Sequence, residues 1–164
     1  MDDYRYQALR TLTRARFDVI QNLTREKQRF ANYLFLKCSG IAQDKDIQNT
    51  SATTIALMER FETVDDLANA DLEELTSFID EKGRNFADPA AKAKAIQTAA
   101  RDSYRLPITV NNSVNQAMAV SIASMRALER QVKVLDKAIE HQFEIIPNTP
   151  VSYTHLTLPT KLEV

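Results

Sequence analysis

Glycine, tryptophan and cysteine are scarce in this chain. Its 164 residues include two Gly, one Cys and no Trp. Two glycines leave few residues suited to tight hairpin turns, whereas helix-forming Ala, Leu, Lys, Glu, Arg and Gln are abundant. The lone Cys38 cannot form an internal disulfide, and neither a signal segment nor an apolar run long enough to span a membrane is present. We therefore expect an all-α, cytoplasmic protein without membrane contact.

The formal net charge of −1 hides three segments of different charge. Residues 1–40 carry eight Lys/Arg and four Asp/Glu, a net of +4. Residues 41–100 carry six against twelve, a net of −6, and residues 101–164 carry seven against six. A basic first segment and an acidic centre point to separate roles for the two regions.

The last residues differ in character from the rest. Residues 151–160 read VSYTHLTLPT, which resembles one translated frame of the synthetic adapter used in transposon-based sequencing libraries. A native β-prone tail is the alternative interpretation. We predict that residues 148–164 form a disordered or artefactual tail, so Tyr153 and His155 carry no functional information.

Two long helices of similar length frame the predicted fold. The first covers residues 1–40, with Gly40 as the residue that ends it, and the second covers residues 107–147, up to Pro147. Each would be about 55 Å long. Equal lengths favour two antiparallel helices side by side, a coiled-coil-like stalk, with three or four short helices of residues 41–106 at its tip.

Capping residues mark the short helices. The signals are Ser51 before a helix through Phe61, Thr63 with Asp66, Asp71 before a helix ending at Gly83, and Asp88-Pro89 before a helix to about Tyr104.

A heptad pattern marks the second long helix. Its apolar positions recur in two series three residues apart over about four heptads, which indicates a coiled coil, although an ordinary bundle helix remains the alternative. The first long helix has a similar but less regular stripe. The predicted seam comprises Leu12, Val19, Leu23, Met118, Met125, Leu128, Val132, Leu135 and Ile139.

Catalytic and metal-binding patterns are missing from the sequence. No phosphate-binding glycine loop, zinc-protease motif or Cys pair occurs. His141 is expected in solvent or at an interface, and Cys38 is expected to be a structural thiol. The acidic cluster at residues 65–74 lies at helix starts, where carboxylates favour the helix dipole. We predict that the chain is not an enzyme and binds neither a metal nor a small-molecule substrate.

Cations are interleaved with aromatic residues along the first helix. Arg14 and Arg25 are eleven residues, or three turns, apart and so project in nearly the same direction. A row of this kind is suited to a phosphate backbone, although solvated or internally paired arginines are the alternative. The predicted contacts are Arg14, Arg16, Arg25, Lys27 and Arg29.

Three segments resemble one known family. They are ALRTLTRARFDVIQNLTREKQRFANYLFLKCSG (8–40), AIQTAARDSYRLP (95–107) and VNQAMAVSIASMRALERQVKVLDKAIE (114–140). These segments resemble the region after the nuclease-like domain in DEDD transposases of the IS-one-ten family of insertion sequences. The IIPNT of residues 145–149 resembles the approach to that family's second domain. The similarity covers essentially all of residues 1–149.

The resemblance implies a connector within an RNA-guided DNA recombinase. In the family, an RNase-H-like domain holds divalent metal, expected to be Mg²⁺, through Asp-Glu-Asp-Asp, and a later domain carries a catalytic serine. None of these residues maps onto this chain. The implied role is a connector and dimerisation region, with DNA and guide RNA as partners of the parent protein.

Two other functions remain open from the sequence. One is a self-standing helical protein-interaction adaptor. The other is a helix-hairpin-helix nucleic-acid module, since FETVDDLANADLEEL (61–75) resembles its opening but the glycine-rich hairpin is missing.

Overall fold

The computed structural model describes residues 4–83 and 86–146. Every helix or strand assigned within them is an α-helix, which confirms the predicted all-α class. None of these helices combines the length and apolar character that a membrane crossing requires. The predicted tail, residues 148–164, lies outside the described residues. The helices are α1 (Tyr4–Lys37), α2 (Ser39–Gln43), α3 (Ala52–Arg60), α4 (Val64–Ala68), α5 (Leu72–Lys82), α6 (Pro89–Arg101) and α7 (Ile108–Glu144).

The capping residues expected from the sequence begin four of the short helices, α3 to α6. Each N-cap side chain accepts a hydrogen bond from a backbone N–H in the first turn, which satisfies one of the donors that a helix start leaves free. Thr63 and Asp66 form the reciprocal capping box. The other caps are Ser51 for α3, Asp71 for α5 and Asp88, followed by Pro89, for α6.

The end of the first long helix differs from the prediction. Gly40 does not terminate α1; it is the second residue of α2, and α1 ends at Lys37. The physical reason for glycine is close packing, because a Cβ on Gly40 would overlap the backbone carbonyl of Ala99 in α6. The Gly40 N–H also donates to the Ser103 hydroxyl at 2.8 Å. Between α1 and α7 the described residues form five short helices, where the sequence predicts three or four.

The chain divides into two compact units. Unit 1 consists of Met1–Arg25 and Ser124–Val164, of which residues 4–25 and 124–146 are described. Unit 2 is the intervening segment, residues 26–123.

Unit 1 is an antiparallel pair formed by the first part of α1 and the last part of α7. Near one end of the pair, Arg5 Nη1 donates to the Ile145 carbonyl at 3.2 Å and Gln142 Nε2 donates to the Arg5 carbonyl at 3.1 Å. Further along, Arg16 Nε lies 2.6 Å from Asp136 Oδ1. Since a higher position on α1 meets a lower position on α7, the two segments run in opposite directions, as predicted for the two long helices.

Unit 2 has a conventional apolar core. Fully buried side chains from α1 and from α3 to α7 fill this core and exclude water from their contacts, which supplies the main favourable term for folding. They include Phe30, Leu34, Leu57, Leu67, Leu75, Ile79, Ile96 and Met118.

A buried lysine holds α1 against the end of α3 inside unit 2. The Lys37 ammonium donates to the carbonyl of Met58 at 3.0 Å and to that of Phe61 at 2.6 Å. These carbonyls belong to the last turn of α3 and its C-cap, where backbone acceptors lack helical partners and a cation is favoured. Burial lowers the pKa of Lys37 to about 8 from its usual 10.5.

The Gly40→Ala variant should destabilise the protein. The methyl group would meet fixed backbone at Ala99, whereas a methyl at the chain's other glycine, Gly83, would meet the Phe86 ring, which can move. We expect Gly40→Ala to lower the free energy of unfolding by about 1–3 kcal/mol and Gly83→Ala to lower it less. Denaturant unfolding of both variants measures the difference. Equal costs would contradict the packing role of Gly40.

Lys37 should make stability depend on pH. Between pH 8 and 10.5 the folded chain has released the Lys37 proton and the unfolded chain still holds it. Because the unfolded state binds more protons there, the contribution of Lys37 to the free energy of unfolding rises with pH. Relative to the Lys37→Met variant, the wild type should gain about 1–3 kcal/mol from pH 7 to 10. A difference that stays constant with pH would show that Lys37 titrates normally.

Candidate nucleic-acid interface

Four of the five cations predicted on α1 have accessible or partly accessible side chains. In unit 1, Arg14 and Arg25 are exposed, and Arg25 Nη1 lies 3.4 Å from the side-chain oxygen of Asn22. In unit 2, Lys27 is half-buried, and Arg29 is exposed but donates to the Glu26 carboxylate at 2.9 Å. The accessible part of the predicted row in unit 1 is thus the pair Arg14 and Arg25, called here the α1 arginine row.

Arg16 is a structural residue rather than the phosphate contact that the sequence predicts. It is only 4% exposed, and its guanidinium bonds to Asp136 on α7. A buried guanidinium keeps its charge, so it is stable there only with a carboxylate or other acceptors at hand. The same placement explains why Arg16 interrupts the apolar stripe of α1, since its position faces the partner helix.

A second row of cations, which the sequence interpretation missed, lies on α7 in unit 1. Its four members are spaced by four, three and four residues, so they share one stripe of the helix over about 16 Å. All four are exposed. The spacing of these four cations is visible in the sequence, beside the apolar heptad positions of the same helix. We call Arg126, Arg130, Lys133 and Lys137 the α7 cation row.

The two units have opposite charge. The described residues of unit 1 contain nine Lys/Arg and five Asp/Glu, a net of +4. The described residues of unit 2 contain ten and fourteen, a net of −4. The units cut across the charge segments seen in the sequence, because residues 26–40 of the basic first segment belong to the acidic unit 2. A polyanion would be attracted to unit 1 and repelled by unit 2.

The predicted seam is only partly buried. Leu23, Met125 and Ile139 of unit 1 and Met118 of unit 2 are buried. The remaining members, all in unit 1, stay half-exposed: Leu12, Val19, Leu128, Val132 and Leu135. Two helices alone cannot enclose a seam of this width, which is why small two-helix units usually pack against further helices.

One flank of α7 in unit 1 carries no charged residue. Its positions are spaced by three, four, three and four residues, which places them on one face beside Leu128 and Leu135. The cations and carboxylates of this part of α7 all lie elsewhere around the helix. The members of this uncharged flank are Ser124, Ala127, Gln131, Val134 and Ala138, and each is exposed or half-exposed.

Three carboxylates of the acidic cluster in unit 2 have structural partners. Asp66 and Asp71 accept backbone N–H bonds at helix starts, and Asp65 lies 2.7 Å from Arg105. Across residues 4–83 and 86–146, no group of three or more His, Cys, Asp or Glu is arranged to hold a metal ion. Each carboxylate named here already has a partner that explains its position.

Cys38 and His141 occupy the kinds of position that the sequence predicts. Cys38 is buried, its sulfur lies 3.6 Å from the Ser103 hydroxyl, and burial raises the pKa of the thiol. A neutral thiol is a poor nucleophile, which fits a structural role. His141 is exposed in the last turns of α7, 4.0 Å from the Glu144 carboxylate.

Unit 2 contains an open cavity of about 460 Å³. Phe86 and Ile96 supply part of its apolar wall, and Lys82 and Lys92 also line it. Lys92 donates to the Asp46 carbonyl at 2.8 Å, so its ammonium is engaged with the protein itself. The cavity lies in the acidic unit.

Comparison with known proteins gives no family for this chain: no family model, no curated protein and no solved structure matches it.

The ion pair between Arg16 and Asp136 should couple the two helices of unit 1. The Arg105–Asp65 pair of unit 2 is a matched control, because its N–O distance of 2.7 Å is close to 2.6 Å but both partners are well exposed. We expect a double-mutant cycle with Arg16→Met and Asp136→Asn to give a coupling energy of about 1–3 kcal/mol.

The same cycle with Arg105→Met and Asp65→Asn should give under about 1 kcal/mol. Thermal or denaturant unfolding of the wild type and the six variants provides the seven free energies. A coupling energy for Arg16 and Asp136 no larger than that of the exposed pair would contradict the structural role assigned to Arg16.

Proposed function

We propose that this chain is the connector and dimerisation region of a bacterial insertion-sequence transposase and carries none of its catalytic residues. The divalent metal, expected to be Mg²⁺, and the catalytic serine belong to flanking domains of the parent protein. The proposal combines the resemblance of residues 1–149 to DEDD transposases with the geometry of unit 1. DNA transposition is then the process in which this helical region takes part.

The antiparallel pair of unit 1 is the observation that carries the proposal. Arg5, near the start of α1, bonds to Ile145, just after α7. A segment whose first and last helical turns lie together can be inserted between two domains without separating them. Such a connector would hold two parts of a catalytic machine close to each other while presenting its long helices to another subunit.

The half-exposed seam supports self-association. Leu128 and Leu135 keep part of their apolar surface in water, and the uncharged flank beside them adds small side chains that permit close helix approach. A second copy of unit 1 placed on this flank would complete a four-helix arrangement and bury the seam. We assign this flank as the contact surface of the homodimer that the family resemblance implies.

Nucleic acid is the second proposed partner. The exposed Arg14 and Arg25 of the α1 arginine row belong to a unit with a net charge of +4. Phosphate contacts from such side chains position a protein on DNA or guide RNA without reading its sequence. Arg16 is excluded from this role because of its burial.

A helical protein-interaction adaptor is the second candidate function. It is favoured by two large apolar side chains exposed in unit 2 near the start of α7, Tyr104 at 76% and Ile108 at 62%. An adaptor would use such a surface for a protein partner and would require neither self-association nor nucleic acid.

Self-association separates the two candidates. We expect light scattering at tens of micromolar to give the mass of a dimer for the full chain. The Gln131→Glu/Ala138→Glu variant, which adds two charges per copy to the uncharged flank, should give a monomer because like charges would meet across the interface.

The control variant is Thr13→Glu/Thr24→Glu. It adds the same charge at exposed positions of α1 and should remain dimeric. A wild-type chain that stays monomeric in this range would remove the dimerisation role and favour the adaptor.

A further inference from the structure

The α7 cation row has the geometry of a polyanion-binding surface. Arg130, Lys133 and Lys137 lie at successive positions of one exposed stripe, and Arg126 extends it by one turn. Three or four cations over about 16 Å match the length of a few nucleotides of backbone. An exposed apolar side chain, Val134 at 66%, lies beside the stripe.

Three cations of this row, Arg130, Lys133 and Lys137, form no salt bridge with a carboxylate among the described residues. Among the described residues, no Asp or Glu oxygen lies within 4.0 Å of the charged nitrogens of Arg130, Lys133 or Lys137. Three acids lie one turn from these cations: Glu129 and Asp136 on either side of Lys133, and Glu140 after Lys137. Of these, the Asp136 carboxylate is held by the buried Arg16 at 2.6 Å.

The Arg16–Asp136 ion pair therefore has an electrostatic consequence on the surface of α7. By drawing the Asp136 carboxylate toward α1, it engages one of the three carboxylates that lie within a turn of Lys133 and Lys137. Three like charges on adjacent turns repel one another, and such an arrangement costs stability unless an anion binds. The repulsion between these cations is weak, but a bound polyanion would relieve it.

We propose that the α7 cation row is a second nucleic-acid contact, separate from the α1 arginine row, which binds a phosphate backbone along α7. The inference rests on the proposed function for the class of ligand, but it does not depend on the α1 contacts or on the dimer. The ligand chemistry is that of a phosphodiester chain. The contact is independent of base sequence because only backbone charges are addressed.

The experiment measures binding of the full chain to a labelled 30-nucleotide single-stranded RNA and to a 30-base-pair duplex DNA by fluorescence anisotropy, over a range of salt concentrations. The test variant is Arg130→Gln/Lys133→Gln/Lys137→Gln. Gln has a helix propensity close to that of Lys and Arg, and circular dichroism verifies that the helix content is kept. The matched control, Lys45→Gln/Lys94→Gln/Arg101→Gln, removes three exposed cations from unit 2.

We expect the test variant to raise the Kd at least tenfold at 100 mM salt and the control to change it less than twofold. Loss of three phosphate contacts should also lower the slope of log K against log salt by about 2 for the single strand. A Lys133→Arg/Lys137→Arg variant should bind like the wild type because it keeps both charges. Should the triple variant lose helix content, the single variants Lys133→Gln and Lys137→Gln should each weaken binding several-fold.

Three results would overturn the inference. They are equal losses in the test and control variants, unchanged binding by the test variant, and wild-type binding to phosphatidylserine vesicles but to neither nucleic acid. The Arg14→Gln/Arg25→Gln variant separates this inference from the proposed function. If it binds normally while the α7 variant does not, the α1 contacts are wrong and the α7 row stands; the reverse result leaves the α1 contacts and removes the row.

Discussion

The pairing of Arg16 with Asp136 is the interaction on which the organisation of unit 1 depends. It spans 120 residues of sequence and joins a buried guanidinium on α1 to α7 at 2.6 Å. Because a buried charge without a partner is costly, this pair disfavours registers that would separate the two groups. The same register brings Arg5 to Ile145, so the chain's path, its half-exposed seam and its surface charge all follow from one alignment.

Charge and packing divide the molecule in the same place. The described residues of unit 1 have a net charge of +4 and a seam that two helices do not fully cover, whereas unit 2 has a net charge of −4 and a closed core of side chains from α1 and α3 to α7. In unit 2, buried polar groups join one helix to another. Lys37 donates to a carbonyl at the end of α3, and the Ser103 hydroxyl, just after α6, accepts from the backbone of α2. In unit 1, by contrast, the side chains of the seam stay half-exposed, so that a partner could cover them. This contrast is the reason for placing the proposed interactions on unit 1.

Local signals in the sequence were more informative than long-range ones. Ser51, Thr63, Asp71 and Asp88 mark helix starts because a cap needs only a side chain and an N–H three residues away, and all four were predicted correctly. The role of Gly40 could not be foreseen, because the Ala99 carbonyl that requires it is far away in sequence. Arg16 interrupts the apolar stripe of α1 in the sequence. Only the position of Asp136 opposite it shows that this buried arginine forms an ion pair. The spacing of the α7 cation row is visible in the sequence. The row was not predicted because the apolar heptad positions are the stronger pattern in the same helix.

The most direct test of the account is the nucleotide sequence of the source locus on both sides of this reading frame. The account predicts that the frame continues upstream into a domain with the Asp-Glu-Asp-Asp metal ligands. Downstream, it should replace residues 151–160 with a segment that opens a second catalytic domain through Ile-Pro-Gly. A locus that encodes VSYTHLTLPT natively, ends in a stop codon soon after it and has no acidic nuclease-like domain upstream would contradict the transposase assignment. A self-standing helical adaptor would then be the better description of this chain.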